Sequence, residues 1–165
     1  FKYSVKGQDM VPVREELATT RAYIGIQLMR FEGVFQAEEQ VDPAILEYRI
    51  PKMILQPLVE NAITHGLEPK GEDGLLILGG SLLEDGHIRL WVEDNGVGME
   101  PEQIEEIFRR KPDGKSGIGI KNVNDRLKIW FGDAYGITIE SVPDEGTKVT
   151  VRMPKVREEA EYEKH

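Results

Sequence analysis

The sequence has no cysteine, few aromatic residues and no long apolar run. The absence of cysteine among 165 residues excludes disulfides and thiolate metal sites, and it fits a reducing compartment. A membrane-spanning helix needs roughly 20 consecutive apolar residues, and no stretch approaches that length. No secretory signal peptide is visible. The hydrophobic content of 39% predicts a single domain with one core.

Basic residues are also under-represented relative to acidic ones. The chain has 21 lysines and arginines against 30 aspartates and glutamates, which gives a net charge of −9. Sequence-independent binding to nucleic-acid phosphates needs a basic surface, so we expect no nucleic-acid partner. A single bound nucleotide remains compatible with this charge, because a metal ion and local backbone dipoles neutralise its phosphates.

Residue periodicity predicts helices that alternate with short strands. We expect helices at residues 13–30, 51–65, 101–108 and 120–131, and strands at 75–83, 88–93, 136–141 and 148–153. Pro51 is expected to open the second helix and Gly66 to end it. This order of elements favours an α+β fold, with helices covering one face of a mixed, mostly antiparallel sheet.

The two ends of the chain differ in character from the middle. The chain begins at Phe1 without an initiator methionine, so we expect a fragment of a larger protein. Residues 1–12 are predicted to be a linker from a preceding helical segment and residues 13–155 to form the domain. Residues 156–165 are charged and aperiodic, which predicts a disordered tail.

The first candidate site segment, residues 56–66, contains Asn61 and His65. The amide oxygen of Asn61 is a hard ligand of the kind that suits Mg²⁺. The two residues are four positions apart on the predicted helix, which places their side chains on one face. His65 is equally compatible with a phosphate contact or with a favourable charge at a helix end. A phosphoacceptor role is disfavoured, because a residue in the wall of a nucleotide site cannot easily move into line.

The second segment, residues 94–99, follows a predicted strand. A carboxylate at the strand end, Asp94, can accept a hydrogen bond from the exocyclic amine of adenine, or it can satisfy its own turn. Gly96 and Gly98 allow a flexible turn, and Met99 offers an adaptable apolar surface. We favour the contact with adenine.

The third segment, residues 117–123, places glycines at the start of a helix. Gly117 and Gly119 permit close backbone approach, and the helix start directs N–H groups towards anionic oxygens. The segment is not a P-loop, because it lacks the Gly-Lys-Ser/Thr ending. The preceding stretch is predicted to be a mobile loop that either closes over phosphates or is simply solvated. Its basic residues are Arg109, Arg110, Lys111 and Lys115.

In this order, the three segments resemble the N, G1 and G2 boxes of the GHKL nucleotide-binding superfamily, which includes histidine kinases, gyrase, MutL and heat-shock chaperones. The motifs at residues 17–31, 56–62 with His65-Gly66, 122–127 and 131–132, with Ser141 and Gly146-Thr147, look like the YesM/LytS-type sensor histidine kinases. The resemblance covers nearly the whole chain. It implies a Bergerat-type two-layer α/β sandwich that binds ATP and Mg²⁺.

The resemblance also implies roles for single residues. Asn61 would ligate the metal, Asp94 would recognise adenine, and Thr147 would support Asp94 directly or through water. The full ATP-binding set it implies is Asn61, His65, Asp94, Gly96, Gly98, Met99, Gly117, Gly119, Ile120, Asn122 and Thr147. Two positions depart from the family pattern: Thr64 stands where lysine is frequent, and Ile120 where leucine is frequent.

The absence of one glutamate indicates which reaction the resemblance implies. ATPase and serine-kinase branches place a glutamate one helical turn before the metal-binding asparagine, where this chain has Pro57. Glu60 precedes Asn61 directly, so it points about 100° away around a helix. A histidine nucleophile is basic near neutral pH and needs less activation than serine. The resemblance therefore implies a protein-histidine kinase domain, with no catalytic residue assigned inside this chain.

The implied partners lie outside the chain. None of His65, His87 and His165 has the setting of a phosphoacceptor, so we expect the accepting histidine on separate dimerisation helices of the same protein. A response regulator, a homodimeric parent and a cytoplasmic location in a membrane-anchored parent are further expectations. Two alternatives stay open: a GHKL-type ATPase clamp, and a non-catalytic nucleotide-sensing or partner-binding module with a decayed pocket.

Overall fold

The computed structural model of the chain describes residues 9–109 and 118–157. In chain order its elements are β1 (Met10–Pro12), α1 (Val13–Arg30), β2 (Phe35–Val41), a 3-10 turn (Pro43–Ile45), β3 (Arg49–Pro51), α2 (Leu55–Asn61), a π-helical segment (Ala62–Leu67), α3 (Glu68–Lys70), β4 (Gly74–Leu82), β5 (His87–Asp94), α4 (Pro101–Arg109), α5 (Ile118–Phe131), β6 (Gly136–Val142) and β7 (Gly146–Pro154).

The main sheet has five strands in the order β2-β4-β5-β7-β6. Only the β2–β4 pair is parallel, and the three other pairs are antiparallel. A second, two-stranded sheet pairs β1 with β3. The predicted mixed, mostly antiparallel sheet is confirmed. In the β5–β7 register Asp94 lies opposite Thr147, which places both residues at one end of the sheet.

The core lies between one face of this sheet and the helices. Burial alternates along β5, where Ile88, Leu90 and Val92 point into the core while the residues between them are half-buried. This period-2 pattern is typical of a strand with one covered face. Buried side chains of the helices complete the core, among them Leu17 of α1 and Leu58 of α2. The predicted two-layer α+β arrangement is therefore present.

The start of the second helix was predicted wrongly. Pro51 is not in a helix: it ends β3, opposite Met10, and α2 begins only at Leu55. The backbone amides of residues 53–55 donate hydrogen bonds to the buried carboxylate of Glu16 on α1. This cap comes from a distant part of the chain, so local sequence signals could not locate the helix start.

The predicted end of that helix was also wrong. Gly66 lies inside the π-helical segment, and the helical run continues to Lys70, followed by Gly71 at a φ of +84°. The Gly66 carbonyl accepts a hydrogen bond of 3.1 Å from the Val97 amide. Because this carbonyl bonds outside the helix, the regular α-helical pattern is interrupted at this point.

The ends of the packed domain differ from the predicted boundaries. Met10–Pro12 forms a strand rather than a linker, and Val156 is fully buried against Met10 rather than part of a disordered tail. The rest of the predicted tail, 158–165, and residues 1–8 lie outside the described residues. Across the described part of the chain, no helix has the length and apolar character needed to cross a membrane.

Candidate nucleotide-binding site

Asp94 is the buried acid of the candidate site, with only 6% of its surface exposed. The Gly96 amide donates a 2.8 Å hydrogen bond to its Oδ1, and the Thr147 backbone amide also bonds the carboxylate. Burial raises the pKa of Asp94 from 3.8 to about 6, although these two amides act in the opposite direction. Thr147, the residue predicted to support Asp94, lies opposite it in the β5–β7 register.

Gly66 brings the helical run 55–70 into direct contact with this acid. A Cβ added at Gly66 would lie 2.6 Å from Asp94 Oδ1, and a Cβ at Gly96 would collide with the Gly66 backbone. Sequence reasoning assigned Gly66 only a helix-ending role and missed this contact. The available signal was a glycine within an otherwise strongly helical segment, which often marks close packing.

We predict that Gly66→Ala destabilises the domain by about 1–3 kcal/mol, because the added methyl group overlaps the Asp94 carboxylate. Urea denaturation measures this change in the free energy of unfolding. Gly25→Ala is the matched control, since Gly25 is exposed in α1 and its Cβ would have no neighbour within 4 Å. That control should be stabilised by up to about 1 kcal/mol through helix propensity. Equal effects of the two substitutions would contradict the contact.

Ser141 connects the turn after Asp94 to the β6–β7 hairpin. Its hydroxyl accepts a 2.8 Å hydrogen bond from the Met99 amide and donates one of 2.9 Å to the Gly146 carbonyl. Since its single hydrogen is used there, the Thr147 hydroxyl is the donor in the 2.8 Å contact between the two hydroxyls. Gly98 completes the turn at a φ of +70°, where an added Cβ would collide with the Val142 carbonyl.

Asn61 is the last residue of α2 and is half-buried. Its side-chain amide makes no hydrogen bond to residues 9–109 or 118–157. The π-helical segment follows directly, so the regular α-helical spacing assumed for Asn61 and His65 does not apply between them. His65 and Thr64 are both exposed. With no partner among the described residues, the Asn61 side-chain oxygen is available to a ligand.

The start of α5 lies beside α2. A Cβ at Gly119 would meet the Pro57 Cβ at 3.2 Å, so the two helices approach closely where α5 begins. Ile120 is fully buried in the core and Asn122 is exposed. Gly117 and the lid residues Arg110, Lys111 and Lys115 lie outside the described residues, whereas Arg109 pairs with Glu105 at 3.6 Å.

A cleft of 290 Å³ lies beside the Ser141–Thr147 hairpin, but it is a poor phosphate site. Its lining includes four acidic residues, Glu93, Asp94, Glu140 and Glu145, with Lys148 as the one cation. Carboxylates repel phosphate oxygens, so we assign no nucleotide phosphate to this cleft.

These elements define a nucleotide-binding α+β domain, and the sequence family agrees. Residues 47–157 match the family of histidine kinase-, DNA gyrase B- and HSP90-like ATPases, and the chain belongs to that family. The ATP-binding domain expected from the sequence is thereby confirmed.

The similar curated proteins are sensor kinases. The sensor histidine kinase YesM of Bacillus subtilis is 34% identical over 147 residues, which are 89% of this chain and 24% of YesM. The sensor protein LytS of the same organism is 31% identical over 169 residues, covering all of this chain and 28% of LytS. The chain spans about a quarter of the length of these relatives. The predicted resemblance to the YesM/LytS type is confirmed.

Solved structures show the same fold. The catalytic domain of histidine kinase ThkA superposes with a TM-score of 0.68 at 20% identity, covering 91% of this chain and 97% of that one. The histidine kinase domain of a blue-light activated kinase from Erythrobacter litoralis gives a TM-score of 0.63 at 16% identity, covering 96% and 70%. The architecture is that of histidine kinase catalytic domains.

Proposed function

We propose that this chain is the catalytic ATP-binding domain of a bacterial two-component sensor histidine kinase. It binds Mg-ATP and presents the γ-phosphoryl group to a histidine on a separate helical segment. The main supporting observation is the helical run 55–70. Gly66 in that run touches Asp94, and Pro57 in the same run touches Gly119 at the start of α5. An adenine acceptor, a free amide oxygen and a helix N-terminus thus lie on adjoining elements.

Each element has a distinct task in this proposal. Asp94 accepts a hydrogen bond from the adenine amino group, while Gly96, Gly98 and Met99 shape the surrounding turn. The Asn61 amide oxygen would hold Mg²⁺, which neutralises phosphate charge when bound. The first turn of α5, with Gly119, directs backbone N–H groups at the phosphates. Phosphoryl transfer then depends mainly on positioning and on charge neutralisation.

The surroundings of Asn61 favour transfer to histidine over hydrolysis. The position one turn earlier is Pro57, which has no acid group. Glu60 is exposed and accepts a 3.2 Å hydrogen bond from the Gln56 side chain. Without a glutamate in the position that activates water, the ATPase-clamp alternative has little support from the site.

The accepting histidine is proposed to lie elsewhere in the parent protein. His87 is half-buried, with Nε2 at 2.8 Å from the Tyr135 hydroxyl and Nδ1 at 2.8 Å from Asp85, so it is held in a side-chain network. His65 is exposed, and we assign it to the ATP-binding set rather than to the phosphoacceptor. The proposed partners are the parent's own dimerisation helices and a response regulator. We further propose a homodimeric, membrane-anchored parent whose cytoplasmic part includes this domain.

The proposal is tested by mixing the chain with γ-labelled ATP, Mg²⁺ and separately produced histidine-bearing helices of the parent. We expect acid-labile label on the helices, and none on a variant whose accepting histidine is replaced by glutamine. Steady release of phosphate without labelled helices would instead support the ATPase clamp. Failure of the chain to bind ADP would support a non-catalytic module.

A further inference from the structure

Glu16 is a buried carboxylate in the first turn of α1. It is 5% exposed. Its Oε1 accepts a hydrogen bond of 3.1 Å from the Met53 amide, and its Oε2 accepts bonds of 2.8 and 3.1 Å from the Ile54 and Leu55 amides. One side chain thus satisfies three successive backbone donors.

These donors lie at the N-terminus of α2. The N-cap residue of that helix is Ile54, which has no side-chain acceptor. The first amides of a helix lack partners within it, and the helix dipole favours a negative charge there. Glu16 therefore acts as a cap supplied by another helix, and it ties α2 to α1.

Arg126 of α5 bonds the backbone carbonyl groups of the same turn. Its guanidinium donates hydrogen bonds of 2.7 Å to the Lys52 carbonyl and 3.2 Å to the Met53 carbonyl. Burial lowers the pKa of Arg126, while the nearby Glu16 and Asp9 oppose that shift. Met53 has a φ of +59°, which is costly for a residue with a long side chain. The two charged side chains keep the turn in this strained conformation.

We propose that Glu16 and Arg126 are positioning residues for the metal-bound nucleotide, because they set the geometry of α2 relative to α5 through the turn 52–55. This inference rests on the proposed function. Asn61 lies six residues after Leu55, about 9 Å along the helix axis at 1.5 Å per residue. A tilt of about 10° at the turn would therefore move the Asn61 amide by about 1.5 Å. Misplacement of a reacting or positioning group by about 1 Å can lower a reaction rate about a hundredfold.

The test compares Glu16→Gln with Glu15→Gln, a matched control because Glu15 is the exposed neighbour in the same helical turn. ADP affinity is measured by calorimetry with Mg²⁺ and with EDTA. We expect Glu16→Gln to weaken the Mg²⁺-dependent affinity about tenfold, because Asn61 is displaced. Affinity in EDTA should fall less than affinity in Mg²⁺, because Asp94 lies on β5 and is linked to the turn only through its contact with Gly66. Glu15→Gln should match the unmodified chain in both conditions.

A second variant tests the other half of the junction. Arg126→Lys keeps the positive charge but loses the planar guanidinium, whose two terminal nitrogens reach the Lys52 and Met53 carbonyls separately. It should reproduce the selective loss of Mg²⁺-dependent affinity. Equal losses in Mg²⁺ and in EDTA would show a general structural role and overturn the inference, as would no loss in either variant.

If the unmodified chain binds no ADP at all, the proposed function fails. The inference is then tested by comparing amide hydrogen-exchange rates of the free chain with those of Glu16→Gln. Faster exchange in Glu16→Gln that extends from residues 53–55 along α2 to Asn61 would support the junction. Faster exchange confined to residues 53–55 would overturn it, because the turn would then not control the helix.

Discussion

Replacement of Asp94 by asparagine is expected to lower ADP affinity about a hundredfold at about pH 8, since a hydrogen bond to a charged group contributes roughly 1.5–3 kcal/mol. The variant loses the carboxylate that would accept the adenine amino hydrogen. It also loses one acceptor for the amides of Gly96 and Thr147, because asparagine has a single side-chain oxygen. Calorimetric titration with ADP measures the change.

The same carboxylate predicts the pH dependence of binding. Burial raises the pKa of Asp94 to about 6, so the free chain becomes protonated there as the pH falls below that value. Protonation removes the negative charge and converts one carboxyl oxygen into a donor, so the ionised form is the better acceptor for the amino hydrogen. ADP affinity should therefore be constant above about pH 7 and fall roughly tenfold per pH unit below about pH 6. Asp94→Asn should abolish this slope.

Two controls separate recognition of adenine from general damage. Inosine diphosphate presents an oxygen where adenine has its amino group, so the unmodified chain should reject it and Asp94→Asn should discriminate far less. Asp133→Asn removes the charge of an exposed aspartate and should bind ADP normally. An unaltered preference for ADP in the Asp94 variant would contradict the assignment.

Replacement of Asn61 by alanine is expected to abolish the Mg²⁺-dependent part of ADP affinity. Loss of even an outer-shell partner of a metal ligand typically costs 10–100-fold in affinity, so loss of a direct ligand should cost at least about a hundredfold. Affinity in EDTA should stay the same, because the Asp94 contacts are intact. Titrations with and without Mg²⁺ provide this comparison.

Stability and a conservative variant make this second prediction specific. The Asn61 amide makes no hydrogen bond within the described part of the chain, and alanine is a good helix former. The free energy of unfolding of Asn61→Ala should therefore not fall by more than about 0.5 kcal/mol. Asn61→Asp keeps an oxygen ligand and should retain Mg²⁺ dependence. An alanine variant with the same ratio of affinities in Mg²⁺ and EDTA would exclude Asn61 as the ligand.

Several elements followed directly from local patterns. The bounds of α1 agree with prediction, and the strands β4, β5, β6 and β7 agree to within a residue or two. Alternating burial and turn residues specify these strands because side chains on a strand repeat every two residues. The same local chemistry marked Asp94 and its glycines, since a carboxylate after a buried strand and before two glycines is an unusual combination.

Contacts between distant residues determined the rest. The sequence by itself determined the family, the positions of strands β4 to β7 and the candidate acid at the end of β5. Tertiary structure alone placed the start of α2, because its cap is Glu16 from α1, and the π-helical segment, in which the Gly66 carbonyl bonds Val97. It also raised the pKa of Asp94, since desolvation depends on surrounding elements. Such effects act through space, so residue order cannot encode them locally.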